Sequence, residues 1–299
     1  MNKEINNESV KQKLDSTKLD NDKLDNDELD SHKLDSNRLI ILLKSFIVSL
    51  SMYTSIPMPN IQWKDEYLKY IFYYLPIIGL LIGFFQVGIY TFANYMDLTP
   101  NLYSALALII VILITGGIHF DGYMDLSDAI NSHKDIEDRI KILKDPHVGS
   151  FAVLYSILYF IVLYSVFIEI YSQNKNYEYV IFISSFFIPR VVANILISKM
   201  NSMKKEGFLY TIQKNSNKKI LFIVSILYLT ISILFIGIFS NMVLALLILI
   251  VVICSILLLY NYFHKVYHGI SGDMAGFTIT IMEVITLIIF AIYGAGPWY

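Results

Sequence analysis

From Leu39 onward the chain alternates long apolar stretches with short polar ones. The apolar segments are 39–56, 71–96, 101–119, 150–171, 178–199, 219–239, 241–262 and 277–296. Most are close to the roughly 20 residues a helix needs to cross a bilayer core. Apolar segments of this length satisfy their backbone groups in lipid only as helices. The pattern predicts an all-α, polytopic membrane helix bundle with about seven spans. Segment 39–56 is the exception: it is short, contains Lys44 and runs into Ile56-Pro57-Met58-Pro59. If it spanned, the residues before it would lie outside, against the charges of Lys33 and Arg38. Read as an interfacial or re-entrant helix, it leaves them inside with the other basic segments, and charge placement favours that reading.

The opening residues break the pattern. Leu14-Asp15, Leu19-Asp20, Leu24-Asp25, Leu29-Asp30 and Leu34-Asp35 recur every five residues, a period that suits neither a helix face nor a strand face. Residues 1–37 read as a disordered, low-complexity polar tail, and residues 38–299 as a membrane-embedded catalytic domain. The tail has no apolar core segment, so no cleavable signal peptide is expected there. Composition agrees: 56% of residues are hydrophobic and 16% charged, against about 25% charged in a soluble domain. A net charge of −2 gives no electrostatic case for nucleic acid. The lone cysteine, Cys254, sits mid-span and reads as an apolar packing residue. The many Tyr and Phe residues read mostly as lipid-facing and interfacial packing.

Lysines set the orientation. Loops 120–149, 199–219 and 263–276 carry the basic residues, among them Lys134, Arg139, Lys144, Lys204, Lys205 and Lys265. The intervening connections contain a single lysine. The basic loops are therefore expected on the cytoplasmic side of a multi-pass protein in the cell membrane. Lys204 and Lys205 read first as topology signals, with headgroup binding as the alternative.

One of these loops concentrates the chemistry. An apolar run feeds into Thr115-Gly116-Gly117, then His119, Asp121, Asp125 and Asp128, with Asp145 further on. In a helix from Asp121, offsets of 0, 4 and 7 put three carboxylates on one face, where they repel unless a cation neutralises them. Magnesium prefers such oxygen ligands and keeps positions open for phosphate. The competing reading of these aspartates is a solvated helix start. Asp145 suits a cap before Pro146 as well as a ligand. His119 suits an interfacial histidine bonded to a carbonyl as well as a phosphate contact or proton acceptor. Arg190 lies inside span 178–199 and Glu283 inside the last span; each must face a polar cavity or a partner. Arg190 has a fork suited to phosphate, and the alternative is a structural pair with a carboxylate. Loop 263–276 adds His268-Gly269-Ile270-Ser271-Gly272-Asp273, a glycine-rich turn with a further carboxylate.

These residues resemble the cobalamin synthase family, the adenosylcobinamide-GDP ribazoletransferases, over roughly residues 39–290. The opening LKSFIVSLSMYTSIPMP and the segment YLPIIGLLIG are similar to the family's first two elements. The main signature is matched by Thr115, Gly116, Gly117, His119, Asp121, Gly122, Asp125 and Asp128. Lys144, Asp145 and Gly149 follow the downstream pattern, and Ser271-Gly272-Asp273 with Gly276 and Glu283 follows the C-terminal one. Ala129 replaces the family's usual glycine, and Lys144 the commoner arginine. The resemblance implies that adenosylcobinamide-GDP and α-ribazole, or its 5′-phosphate, are joined with release of GMP. It implies Asp121, Asp125, Asp145 and Asp273 as magnesium ligands and Asp128 or His119 as proton acceptor. Arg190 would steady the leaving nucleotide. A homo-oligomer or a complex with other cobalamin-pathway enzymes is left open. Two other classes fit less well: a CDP-alcohol phosphotransferase, whose Asp-Gly-x-x-Ala-Arg element is missing, and a secondary transporter, for which no internal repeat is visible.

Overall fold

Helix ends fall where the sequence supplies caps. Thr99 accepts the Leu102 amide and is followed by Pro100 at the first helical position; Asn217 and Asn241 accept amides of the helices they precede. The computed structural model describes residues 37–173 and 177–295, so the predicted tail lies almost wholly outside the described residues. Twelve helices are described: α1 (37–53), α2 (Asp65–Leu68), α3 (Ile71–Tyr95), α4 (Pro100–Thr115), α5 (Ile118–Asn131), α6 (Ile136–Ile142), α7 (Ser150–Gln173), α8 (Glu178–Lys199), α9 (Phe208–Asn215), α10 (Lys218–Phe239), α11 (Met242–Tyr267) and α12 (Gly272–Ala295). Among the described residues the only β pairing is one isolated parallel bridge between Ser202 and Ile270. Backbone contacts divide the chain into residues 1–44, described from residue 37 as helix, and residues 45–299, which form the helix bundle.

Six helices are long and apolar enough to cross a membrane, and α4 with α5 makes a seventh if that bent pair is one span. A chain with this many such helices is an integral membrane protein. Two boundaries depart from the sequence expectation. The predicted span 101–119 ends at Thr115, because Gly116 and Gly117 take left-handed conformations (φ 61° and 77°) and turn α5 by 96° from α4. The last helix begins at Gly272 rather than near 277, so Asp273 and Gly276 are helical. The glycine-rich turn is correspondingly shorter, with His268 as the left-handed cap of α11.

Helix α8 is the hub, with 89% of its membrane segment buried, whereas α10 and α11 present most of theirs outward at 28% and 22%. Its contact with α3 uses Gly79 and Gly83, four residues apart, where any Cβ would meet the α8 backbone at Phe186 and Ile183. Each of these helices also contains a proline, Pro76 and Pro189. A proline removes the amide that would bond the carbonyl four residues earlier. For Pro76 that carbonyl is Phe72, and Asn194 of α8 donates to it at 2.7 Å. For Pro189 it is Ser185; Thr286 of α12 stands 3.5 Å from it, while the one hydroxyl proton of Thr286 has the nearer Met282 carbonyl of its own helix at 2.8 Å. At Pro76 the neighbouring helix thus supplies the missing donor. At the far end of the bundle, Tyr90, Tyr103 and Tyr171 pack with Phe167 and Phe182 as a buried cluster, not facing lipid as expected for the aromatics.

The Asn194 bond generates a test of this packing. Asn194→Leu strands the buried Phe72 carbonyl and should cost about 1–3 kcal/mol, read as a lower unfolding midpoint in detergent. Adding Pro76→Ala returns an amide to α3 and should recover most of the loss. An unchanged midpoint in the single variant would remove this role from Asn194.

Candidate active site

The bend after α4 makes the site. Ser55 donates its amide to the Ile114 carbonyl at 2.8 Å, and its hydroxyl to the Leu113 and Ile114 carbonyls. The last turn of α4 is thereby satisfied without continuing the helix. Helix α5 then crosses the start of α12 at backbone contact. A Cβ on Gly122 would stand 2.6–2.8 Å from the Asp273 backbone, and one on Gly276 would stand 2.9 Å from the His119 carbonyl oxygen. Only glycine at both positions lets the two helices approach this far. The approach sets Asp121, Asp125 and Asp273 around one another.

Their charges act together. Helix α5 turns away from the α4 span, and Asp125 on it is half-buried. Its carboxyl is pushed up to about 6, first by burial and then by the charges of Asp121, Asp273 and Asp128. Asp121 and Asp273 line a cleft of about 360 Å³, within the usual range for a ligand site. His119, Tyr53, Ser202, Lys204 and Ser271 share its lining. Among the described residues no three His, Cys, Asp or Glu side chains already stand together as a complete metal-ligand set.

Two connecting loops are held together over this cleft. Met203 donates to the Ile270 carbonyl at 2.9 Å and Ile270 to the Asn201 carbonyl at 3.0 Å. Gly269 permits the contact, since a Cβ there would meet Asn201 and Met203. Gln213 of α9 anchors the first loop: its Oε1 accepts the Ser202 amide at 2.8 Å, and its Nε2 donates to the Ile197 and Met200 carbonyls. Lys204, on this loop, lines the cleft together with Asp273. From sequence Lys204 reads first as a topology signal, because the pairing that brings it here joins residues far apart in the chain. Tyr53 carries no sequence signal for the site, and its ring packs against His119 at 5.7 Å.

The other expected site residues have different surroundings. Asp128 points away from the cleft, toward Gly149, where a Cβ would overlap its carboxylate. It accepts the Phe151 and Ala152 amides at 3.2 and 3.4 Å, capping α7 from a neighbouring helix. Asp145 is exposed and bonded to the His147 amide and ring, at 3.0 and 2.6 Å, and it does not line the cleft. Arg190 is 1% exposed, pairs with Glu283 at 2.7 Å and donates to the Phe186 carbonyl at 2.6 Å. It lies in the frame beneath the site, apart from the cleft lining. His119 is buried at the junction, and among the described residues its Nε2 has no hydrogen-bond partner.

The comparisons with known proteins converge. The family model described as cobalamin-5-phosphate synthase matches residues 45–291. Similar curated relatives include a protein of Clostridium botulinum strain Alaska E43, 34% identical over 82% of this chain and 96% of its own length. One of Lachnoclostridium phytofermentans is 31% identical over 86% of this chain and 99% of its own. One of Clostridioides difficile strain 630 is 29% identical over 82% and 96%. All three are named adenosylcobinamide-GDP ribazoletransferase. No solved structure matches. The match covers every residue that lines the cleft, from Met52 to Ile279, and the chain belongs to the cobalamin-5-phosphate synthase family.

Proposed function

We propose that adenosylcobinamide-GDP and α-ribazole are joined in the cleft between α5 and α12. The chain is an adenosylcobinamide-GDP ribazoletransferase, acting in nucleotide-loop assembly of cobalamin. The observation that carries the site is that Asp121, Asp273 and Lys204 line one cleft, with Asp125 close enough to both carboxylates to feel their charges.

In the reaction a ribazole hydroxyl oxygen bonds to the phosphorus carrying the cobinamide arm. The bond from that phosphorus to the bridging oxygen breaks, and GMP leaves with the electron pair. Catalysis of such a step is mainly positioning and charge neutralisation. Asp121, Asp125 and Asp273 would hold magnesium. The donor set fits, being all oxygen and mutually repulsive. Among the described residues the three do not form a closed ligand set, so one or two of them would bind the ion and substrate phosphates would complete its shell. When bound, the ion supplies neutralisation of the diphosphate. Lys204 faces the same phosphates and takes the part first given to Arg190, which Glu283 already occupies. Of the two candidate acceptors for the hydroxyl proton, His119 lines the cleft, whereas the Asp128 carboxylate is committed to the start of α7. The distribution of lysines supports a cleft open to the cytoplasm, where both reactants would meet the membrane surface.

Asp121→Asn and Asp125→Asn should each lower kcat about 10²–10³-fold across a magnesium titration, with GMP release as the readout. Normal turnover in both would remove the metal assignment. Asp128→Asn should instead lower stability by about 0.5–2 kcal/mol and leave kcat of the folded protein within several-fold; a drop as large as that of Asp121→Asn would make it part of the chemistry. A pH effect follows from the raised Asp125 carboxyl. Below about 6 it is protonated and must lose its proton to act as a ligand, so apparent magnesium affinity should rise with pH up to about 6 and level off above. Affinity that is flat from pH 5 to 7 would exclude Asp125 as a ligand.

A further inference from the structure

We infer that the inner, apolar end of the cleft seats the aromatic base of the ribazole and thereby selects which base is attached. This rests on the cleft being the transfer site. The lining changes character with depth along α12. Ser271 and Asp273 stand at its start, whereas Ile279 lies six residues beyond Asp273, about 9 Å further along the helix. Phe72 and Leu75 of α3, Ile197 of α8 and Ile212 of α9 add apolar wall to the same cleft, all buried. None of these five side chains carries a polar atom.

The two reactants bring three bulky groups, and size and polarity separate them. A corrin ring with its amide arms and axial ligands is several times too large for about 360 Å³. Guanine fits by size, but its O6, N1, N2 and N7 edges would face aliphatic carbon. Each group stripped of water without a partner costs about 1–3 kcal/mol. Guanosine therefore belongs at the polar rim with Lys204 and Glu206. Dimethylbenzimidazole is flat, has one free ring nitrogen and leads with two methyl groups. With this base innermost, the ribose hydroxyl points back to Asp121 and Asp273, where the diphosphate lies. The wall thus fixes the nucleophile's direction of attack as well as its identity.

The test is steady-state kinetics on the full chain in detergent, with each substrate varied in turn. A riboside of plain benzimidazole, lacking both methyls, should lose about tenfold in kcat/KM, and the adenine riboside more. Ile212→Ala should raise KM for α-ribazole several-fold and leave KM for adenosylcobinamide-GDP unchanged. Leu209→Ala, on the less buried face of α9 and also lining the cleft, serves the same purpose should the first variant not fold. Equal use of the two benzimidazoles, or a rise in KM for adenosylcobinamide-GDP alone, would overturn the inference and leave the carboxylate site standing. Absence of GMP release from the unaltered chain with both natural substrates would instead overturn the transfer site itself.

Discussion

The contact between α5 and α12 governs this molecule. Two helices meet with no side chain between them at Gly122 and Gly276. The gain is positional: carboxylates from segments about 150 residues apart in sequence come within one another's field. The cost is like-charge repulsion, and a fold accepts that where a cation or a substrate's counter-ion relieves it. The surrounding bundle works against that repulsion. Helix α8 braces α12 through the Arg190–Glu283 pair, and the paired loops after α8 and α11 close over the top. A buried ion pair of this kind contributes little net stability, yet removing one partner leaves an uncompensated charge. Its value is that α8 and α12 have one register in which both charges are met.

The spans were legible because lipid demands long apolar helices, a signal that composition carries directly. The bend at Gly116-Gly117 was not, because hydropathy runs unbroken across it; only the backbone freedom of two adjacent glycines marks it. That Asp121 and Asp125 share a face was legible from their spacing on α5. Asp128 shares that spacing and still goes elsewhere, because a turn of helix later its side chain meets the free amides of α7. Helical periodicity assigns a face, and the neighbour on that face assigns the role. Arg190 illustrates the same limit. The expense of an arginine in a span guaranteed a partner, and the choice between phosphate and Glu283 was tertiary.

Two unpartnered polar atoms sit near the site. Among the described residues His119 Nε2 and Arg190 Nε are buried without a hydrogen-bond partner, and both residues line one small pocket between α4, α5, α7 and α8 that Glu283 and Thr280 of α12 also face. His119 lines the cleft as well, so this pocket and the proposed transfer site share a wall.

Pro76 has a consequence for biogenesis. Phe72 emerges from the ribosome long before Asn194. Helix α3 therefore enters the bilayer with a carbonyl that a later helix answers. The early spans cannot reach their lowest-energy state alone, and their insertion is completed by capture when the later ones arrive. Synthesis halted before Asn194 would leave α3 with an exposed polar defect, a feature that membrane quality control could recognise.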